Sequence, residues 1–132
     1  MIKGIGHIGI AVKNIEESLT SVSKALDLPM PLIRDILDRR LKVSVVDIGG
    51  TSLEFIQDDS EDGEFAKLVR ERGNCIHHVC FLTDQIENDI ELLKSRGVEM
   101  ADQKPKMGVR GKRIAFTKPS VLNGVPFELS EL

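Results

Sequence analysis

A chain of 132 residues, 41% hydrophobic and 30% charged, is long enough for one domain with a real core or two merged half-domains. The net charge of −3 argues against a general nucleic-acid-binding role, which usually shows a clustered basic surface. No apolar run approaches the ~20 residues that span a bilayer, and the N-terminus lacks the layout of a signal peptide. We therefore expect a cytoplasmic protein with no nucleic-acid or membrane partner.

The first half of the chain predicts one strand, one helix and then further strands. Residues 4–13 alternate as a strand, with His7 on a face of small residues that leaves room for a cavity. Asn14 is a plausible N-cap of a helix that stops before Pro29. Residues 29–40 fit a short strand or a turn of helix, and residues 42–48 and 51–57 predict a hairpin around two glycines.

The second half predicts the same plan. An acidic connection, residues 58–63, and a short helix ending near Gly73 separate the halves. A strand over 76–83 precedes a helix over 85–96 with Asp84 as its cap, a loop over 103–112, and strands over 113–117 and 125–129. We expect two modules, residues 1–60 and 74–132, with residues 61–73 as the connecting helix.

A shift of 71 positions lays the first half over the second and matches His7 with His78. With three more residues for the longer final turn, Glu54 matches Glu128. Any one of these residues alone would be an ordinary strand residue. Two imidazoles and two carboxylates at equivalent positions suit a divalent ion such as Co, Ni, Mn or Zn with open positions for catalysis.

Two neighbouring features have plainer interpretations. His77 alternates to the face opposite His78, which favours a structural or interface role. Cys75 and Cys80 lie five residues apart in one predicted strand, on opposite faces, so a disulfide between them is geometrically poor and both are expected to be reduced.

In its repeated plan and in these four residues the chain resembles the vicinal oxygen chelate superfamily, which includes glyoxalases, bleomycin resistance proteins and dioxygenases. Within it, the chain is most similar to the methylmalonyl-CoA epimerases. The resemblance implies an α+β fold of two tandem βαβββ modules forming a U-shaped mixed sheet around a metal site. It is carried by residues 7–16, 65–73, 76–79, 111–119 and 123–129.

The resemblance further implies a function and a set of roles. The metal ligands would be His7, Glu54, His78 and Glu128, and the reaction would be epimerisation of a CoA thioester by α-proton abstraction through a metal-stabilised enolate. Glu128 would serve as one acid/base group. The family's second base has no secure counterpart in this chain, where Asp38 is the nearest acid.

The sequence leaves open two alternative functions, the role of one loop and the oligomeric state. Glu54 is similar to the residue of glyoxalase I, so a lactoylglutathione lyase is one alternative, and a non-catalytic small-molecule-binding protein is another. The basic loop, residues 104–113, would either meet the phosphates of CoA or lie solvated. Small modules of this kind often pair through sheet edges, so we expect a homodimer.

Overall fold

A computed structural model describes residues 1–132 and contains eight strands and three α-helices. The elements are β1 (Ile2–Ala11), α1 (Ile15–Leu26), β2 (Arg34–Ile36), β3 (Leu41–Ile48), β4 (Thr51–Asp58), α2 (Glu64–Arg72), β5 (Cys75–Thr83), α3 (Ile86–Ser95), β6 (Lys106–Met107), β7 (Arg113–Phe116) and β8 (Phe127–Glu131). Short 3₁₀ turns cover Leu37–Arg39 and Pro119–Leu122. The order βαβββ therefore occurs twice with α2 between, and the predicted α+β class is confirmed. None of the helices has the length and apolar character needed to cross a membrane.

The chain forms two compact units that do not coincide with its halves. The first unit contains Met1–Ile8 and His78–Leu132, and the second contains Gly9–His77. Strand β1 contributes its first seven residues to one unit and its last three to the other.

In the second unit the strands follow the order β2-β3-β4-β1. Strands β3 and β4 form an antiparallel hairpin in which Val45 faces Glu54. The hairpin turns at Gly49 and Gly50, whose positive φ angles of 57° and 93° glycine adopts without steric cost. Helix α1 packs its apolar face on this sheet because its buried residues recur at helical spacing. The core comprises Val12, Ile15, Leu19, Val46 and Phe55.

The predicted start of α1 is confirmed. The Asn14 side chain accepts a hydrogen bond from the backbone N–H of Glu17 at 3.1 Å, which satisfies one of the unpaired donors of the first turn. The region after α1 contains both structures that its sequence allowed. Residues 34–36 form an edge strand and residues 37–39 a 3₁₀ turn.

In the first unit the strands follow the order β1-β5-β8-β7-β6. Strands β5 and β8 run parallel, with Cys80 beside Glu128, and β7 and β8 run antiparallel, with Phe116 beside Glu128. Side chains alternate between the two faces of each strand, so one face of this sheet is left for the core. That core, under α3, comprises Ile86, Ile90, Met100, Ala115 and Leu129.

Three predictions in this unit were wrong: the cap of α3, the bounds of the last strand and the absence of a strand from the loop over 103–112. Asp84 does not cap α3, because its carboxylate oxygens lie 3.1 Å from the Met1 amino group and 2.9 Å from Lys3 Nζ. The backbone N–H of Gln85, the N-cap residue, instead donates to Thr83 Oγ1. The last strand covers 127–131 rather than 125–129, and the predicted loop over 103–112 contains the short strand β6.

Candidate metal centre

The two histidines that are equivalent in the repeat meet in the first unit. His7 on β1 and His78 on β5 are 3% and 1% exposed, and their Nε2 atoms lie 3.0 Å apart. The rings meet edge to face, and the ring of Phe116 lies against His78 on another side at a centroid distance of 5.2 Å. The ring of His78 therefore packs against those of His7 and Phe116, and the Nε2 atoms of the two histidines face each other.

Glu128 supplies the third donor at that point. Its Oε2 atom lies 2.9 Å from His78 Nε2 and 3.3 Å from His7 Nε2. Strand β8 positions the carboxylate, because Glu128 sits beside Cys80 in the parallel register and side chains of paired residues share a face. We call the donors of His7, His78 and Glu128 the triad.

The carboxyl group of Glu128 is held in its ionised form. Burial alone would raise its pKa, but the hydrogen bonds and positive character of His7 and His78 outweigh burial and lower the pKa of Glu128 to about 2. A buried carboxylate at this position is therefore a negatively charged donor throughout the ordinary pH range.

The triad fits a metal ion better than it fits a hydrogen-bonded cluster. Three mutual contacts of 2.9–3.3 Å join three atoms, yet the two nitrogens carry at most one proton each and the carboxylate carries none. Three good hydrogen bonds are therefore not available. Donors bound at about 2.1 Å to one ion are about 3.0 Å apart at right angles and about 3.4 Å apart in a tetrahedron, and the three observed distances of 2.9–3.3 Å are close to these values. A divalent ion would satisfy all three donors at once.

Arg110 touches the triad from the basic loop. Its Nη1 atom lies 3.0 Å from Nδ1 of His7. Because a guanidinium only donates, Nδ1 accepts in this arrangement and the proton of a neutral His7 ring resides on Nε2. A metal-ligating Nε2 requires the proton on Nδ1 instead. Arg110 and a metal ion therefore demand opposite tautomers of His7.

The remaining predicted residues lie in the second unit. Glu54 is 3% exposed on β4, and Asp38 is exposed on the 3₁₀ turn after β2. The predicted roles of Glu54 as a ligand and Asp38 as a base stay predictions. His77 contacts α2, with Nε2 3.2 Å from Glu64 Oε1 and its ring 4.4 Å from that of Phe65.

Two residues near the triad were not among the predicted site residues. Cys80 could have been found, because it follows His78 by two positions and so shares its face of the strand. For Arg110 the only signal was its place in a basic, glycine-containing loop, and such loops are usually solvated.

Comparisons with known proteins give the site a family context. Residues 6–116 match the Glyoxalase/Bleomycin resistance protein/Dioxygenase superfamily. The chain is 29% identical over 127 residues to the uncharacterized protein YqjC of Bacillus subtilis (strain 168), covering 96% of this chain and 91% of that protein. It is 25% identical over 134 residues to an ethylmalonyl-CoA/methylmalonyl-CoA epimerase of Cereibacter sphaeroides, covering 100% of both.

Solved structures agree on the fold. A variant of the methylmalonyl-CoA epimerase of Streptomyces coelicolor, in complex with 2-nitronate-propionyl-CoA, has a TM-score of 0.89 to this chain. The likeness covers 99% of this chain and 95% of that chain at 23% sequence identity. At this identity the likeness concerns the fold alone.

Proposed function

The chain belongs to the glyoxalase/bleomycin resistance protein/dioxygenase superfamily, and from this premise we propose that it is a metal-dependent epimerase of methylmalonyl-CoA or a similar 2-methyl acyl-CoA thioester. The observation that carries the proposal is the triad, three buried donors that converge at the spacing of metal ligands. Support for the substrate comes from the epimerase relative that the chain matches over its whole length.

The proposed chemistry needs a cation, a base and an acid. A divalent ion held by His7, His78 and Glu128 would supply Lewis-acid polarisation of the thioester carbonyl, which acidifies the neighbouring α-carbon. The Glu128 carboxylate is ionised at neutral pH and is therefore in the proton-accepting form, while its pKa of about 2 makes it a weak base. A second group must return a proton to the opposite side of the α-carbon, and Asp38 is the predicted candidate.

Arg110 has a part in substrate binding under this proposal. When Nε2 of His7 binds a cation, its Nδ1 carries a proton and stops accepting from Arg110. Carboxylate or phosphate groups of the thioester match the planar donor geometry of the guanidinium and would take the place of His7 as its acceptor. This extends the alternative in which the basic loop meets the phosphates of CoA.

An Arg110→Gln substitution should raise KM for methylmalonyl-CoA by about tenfold or more, since a charge-assisted pair contributes about 1.5–3 kcal/mol. The value of kcat should change less than KM. Steady-state kinetics at saturating metal measure both, and the matched control is Arg96→Gln, an exposed arginine at the end of α3. Equal KM values for the two variants would remove Arg110 from substrate binding.

Solvent isotope exchange tests the function itself. Metal-stripped protein supplied with Co²⁺ in deuterated buffer should introduce deuterium at the α-carbon of methylmalonyl-CoA, as followed by mass spectrometry. Omitting the metal should stop the exchange. Methylglyoxal with glutathione is run in parallel, because turnover there without exchange would favour the lyase alternative. Binding of the thioester without either reaction would favour the non-catalytic alternative.

A further inference from the structure

The first unit contains a further donor-bearing side chain beside the triad, the thiol of Cys80. The residue is fully buried, shares a strand face with His78 two positions earlier, and sits next to Glu128 in the β5–β8 register. Ligand atoms of His7, Cys80 and Glu128 all lie within 4.8 Å of one another. A sulfur at about 2.3 Å and a nitrogen at about 2.1 Å from one tetrahedral ion are about 3.6 Å apart. Because these donor atoms are no more than 4.8 Å apart, a relative movement of about 1 Å would bring the sulfur and the nitrogen to a common ion.

The thiol is held in place by its neighbours as well as by its strand. A Cβ atom built at Gly6 would lie 3.3 Å from Cys80 Sγ and 2.9 Å from Leu82 Cδ2. The glycine therefore lets β1 pass close to the sulfur.

We propose that the first unit offers two overlapping donor sets, and that a thiophilic ion uses Cys80. The sets share His7 and Glu128 and differ in their third member, the His78 imidazole or the Cys80 thiolate. On binding, the S–H bond breaks, a sulfur–metal bond forms and the proton leaves to the buffer. Soft donors favour zinc and cadmium, whereas carboxylate and imidazole suffice for manganese. The identity of the third donor then depends on the softness of the ion.

This inference rests on the metal part of the proposed function and is independent of the substrate. It makes Cys80 a determinant of metal selectivity in a site otherwise built from nitrogen and oxygen donors. It also predicts that thiophilic ions bind in a geometry different from that of manganese, because Cys80 and His78 lie at different positions along β5.

Cadmium titration of a Cys75→Ser protein tests the proposal. Cys75 is the second cysteine and only partly buried, so its removal leaves Cys80 as the single thiol. Bound Cd²⁺ should give a thiolate-to-metal charge-transfer band in the ultraviolet. The double variant Cys75→Ser and Cys80→Ser should lose the band and bind Cd²⁺ at least about tenfold more weakly, by competition with a chelating dye, while its Mn²⁺ affinity stays within about twofold.

The absence of a band from the Cys75→Ser protein at saturating Cd²⁺ would overturn the proposal. That result needs no Cys80 variant, so a misfolded double variant does not obscure it. Parallel losses of Cd²⁺ and Mn²⁺ affinity on replacing Cys80 would also overturn it, since they would indicate general damage to the site. Failure of isotope exchange in a protein that shows the band would reject the epimerase function and leave Cys80 as a ligand.

Discussion

A His78→Ala protein should bind Co²⁺ more than about 100-fold more weakly than the unaltered chain and should lose isotope exchange at the α-carbon. The imidazole is 1% exposed, and its Nε2 lies 2.9 Å and 3.0 Å from the other two donors of the triad. Alanine leaves two donors where three converge. Losing an outer-shell partner of a metal ligand typically costs 10–100-fold in affinity, so losing a ligand should cost more. Calorimetric titration of the metal-stripped protein measures the effect.

The adjacent histidine provides the matched control. His77 has the same chemistry but lies against Glu64 and Phe65 of α2. We expect His77→Ala to keep Co²⁺ affinity within about threefold. The variant should lose some thermal stability, because it removes a packed ring and that ring's contacts with Glu64 and Phe65. Circular dichroism spectra should show both variants folded. If the His77 and His78 variants lose metal affinity equally, the triad is not the ion's binding site.

The convergence of His7 and His78 could be predicted because it depends on two simple periodicities. The shift of 71 residues makes their strands equivalent, and the alternation along a strand fixes which face each ring occupies. The same argument identifies Glu128, because its position in the last strand of the second half is equivalent to that of Glu54 in the first half. Alternation is a local property of each strand, and in the folded chain the three donors lie within 3.3 Å of one another.

Features that depend on distant parts of the chain were missed. Asp84 has the right chemistry for a helix cap, but the Met1 amino group and Lys3, at the other end of the sequence, use its oxygens. Arg110 contacts His7 at a sequence separation of 103 residues, and nothing in the spacing of the loop encodes that contact. The start of β8 has a local cause instead: it lies at residue 127 rather than 125, because Pro126 lacks the N–H that a ladder requires.

The carboxylate that completes the triad should carry the largest catalytic effect. We expect Glu128→Gln to slow isotope exchange by about 10²–10⁴-fold at saturating metal, the range associated with a lost acid/base group, and to weaken metal binding as well. Asp38→Asn is the informative comparison. If Asp38 is the second base, its variant should retain metal affinity and lose isotope exchange. An unchanged exchange rate would show that another group is the second base.

Acid unfolding of the metal-free protein separates the carboxylate's charge from other effects of the Glu128 substitution. In the folded chain the pKa of Glu128 is lowered from 4.5 to about 2. A lowered folded pKa means that the ionised group stabilises the fold above pH 4.5 and that this stabilisation disappears as the pH falls from about 4.5 to about 2. A difference of that size corresponds to roughly 3 kcal/mol.

Glu128→Gln should therefore be less stable near pH 7 and should lose less stability across this pH interval, as measured by urea unfolding at each pH. Parallel stability curves for the two proteins would show that the histidines do not hold the Glu128 carboxylate in its ionised form, and the charge assigned to the triad would then be wrong.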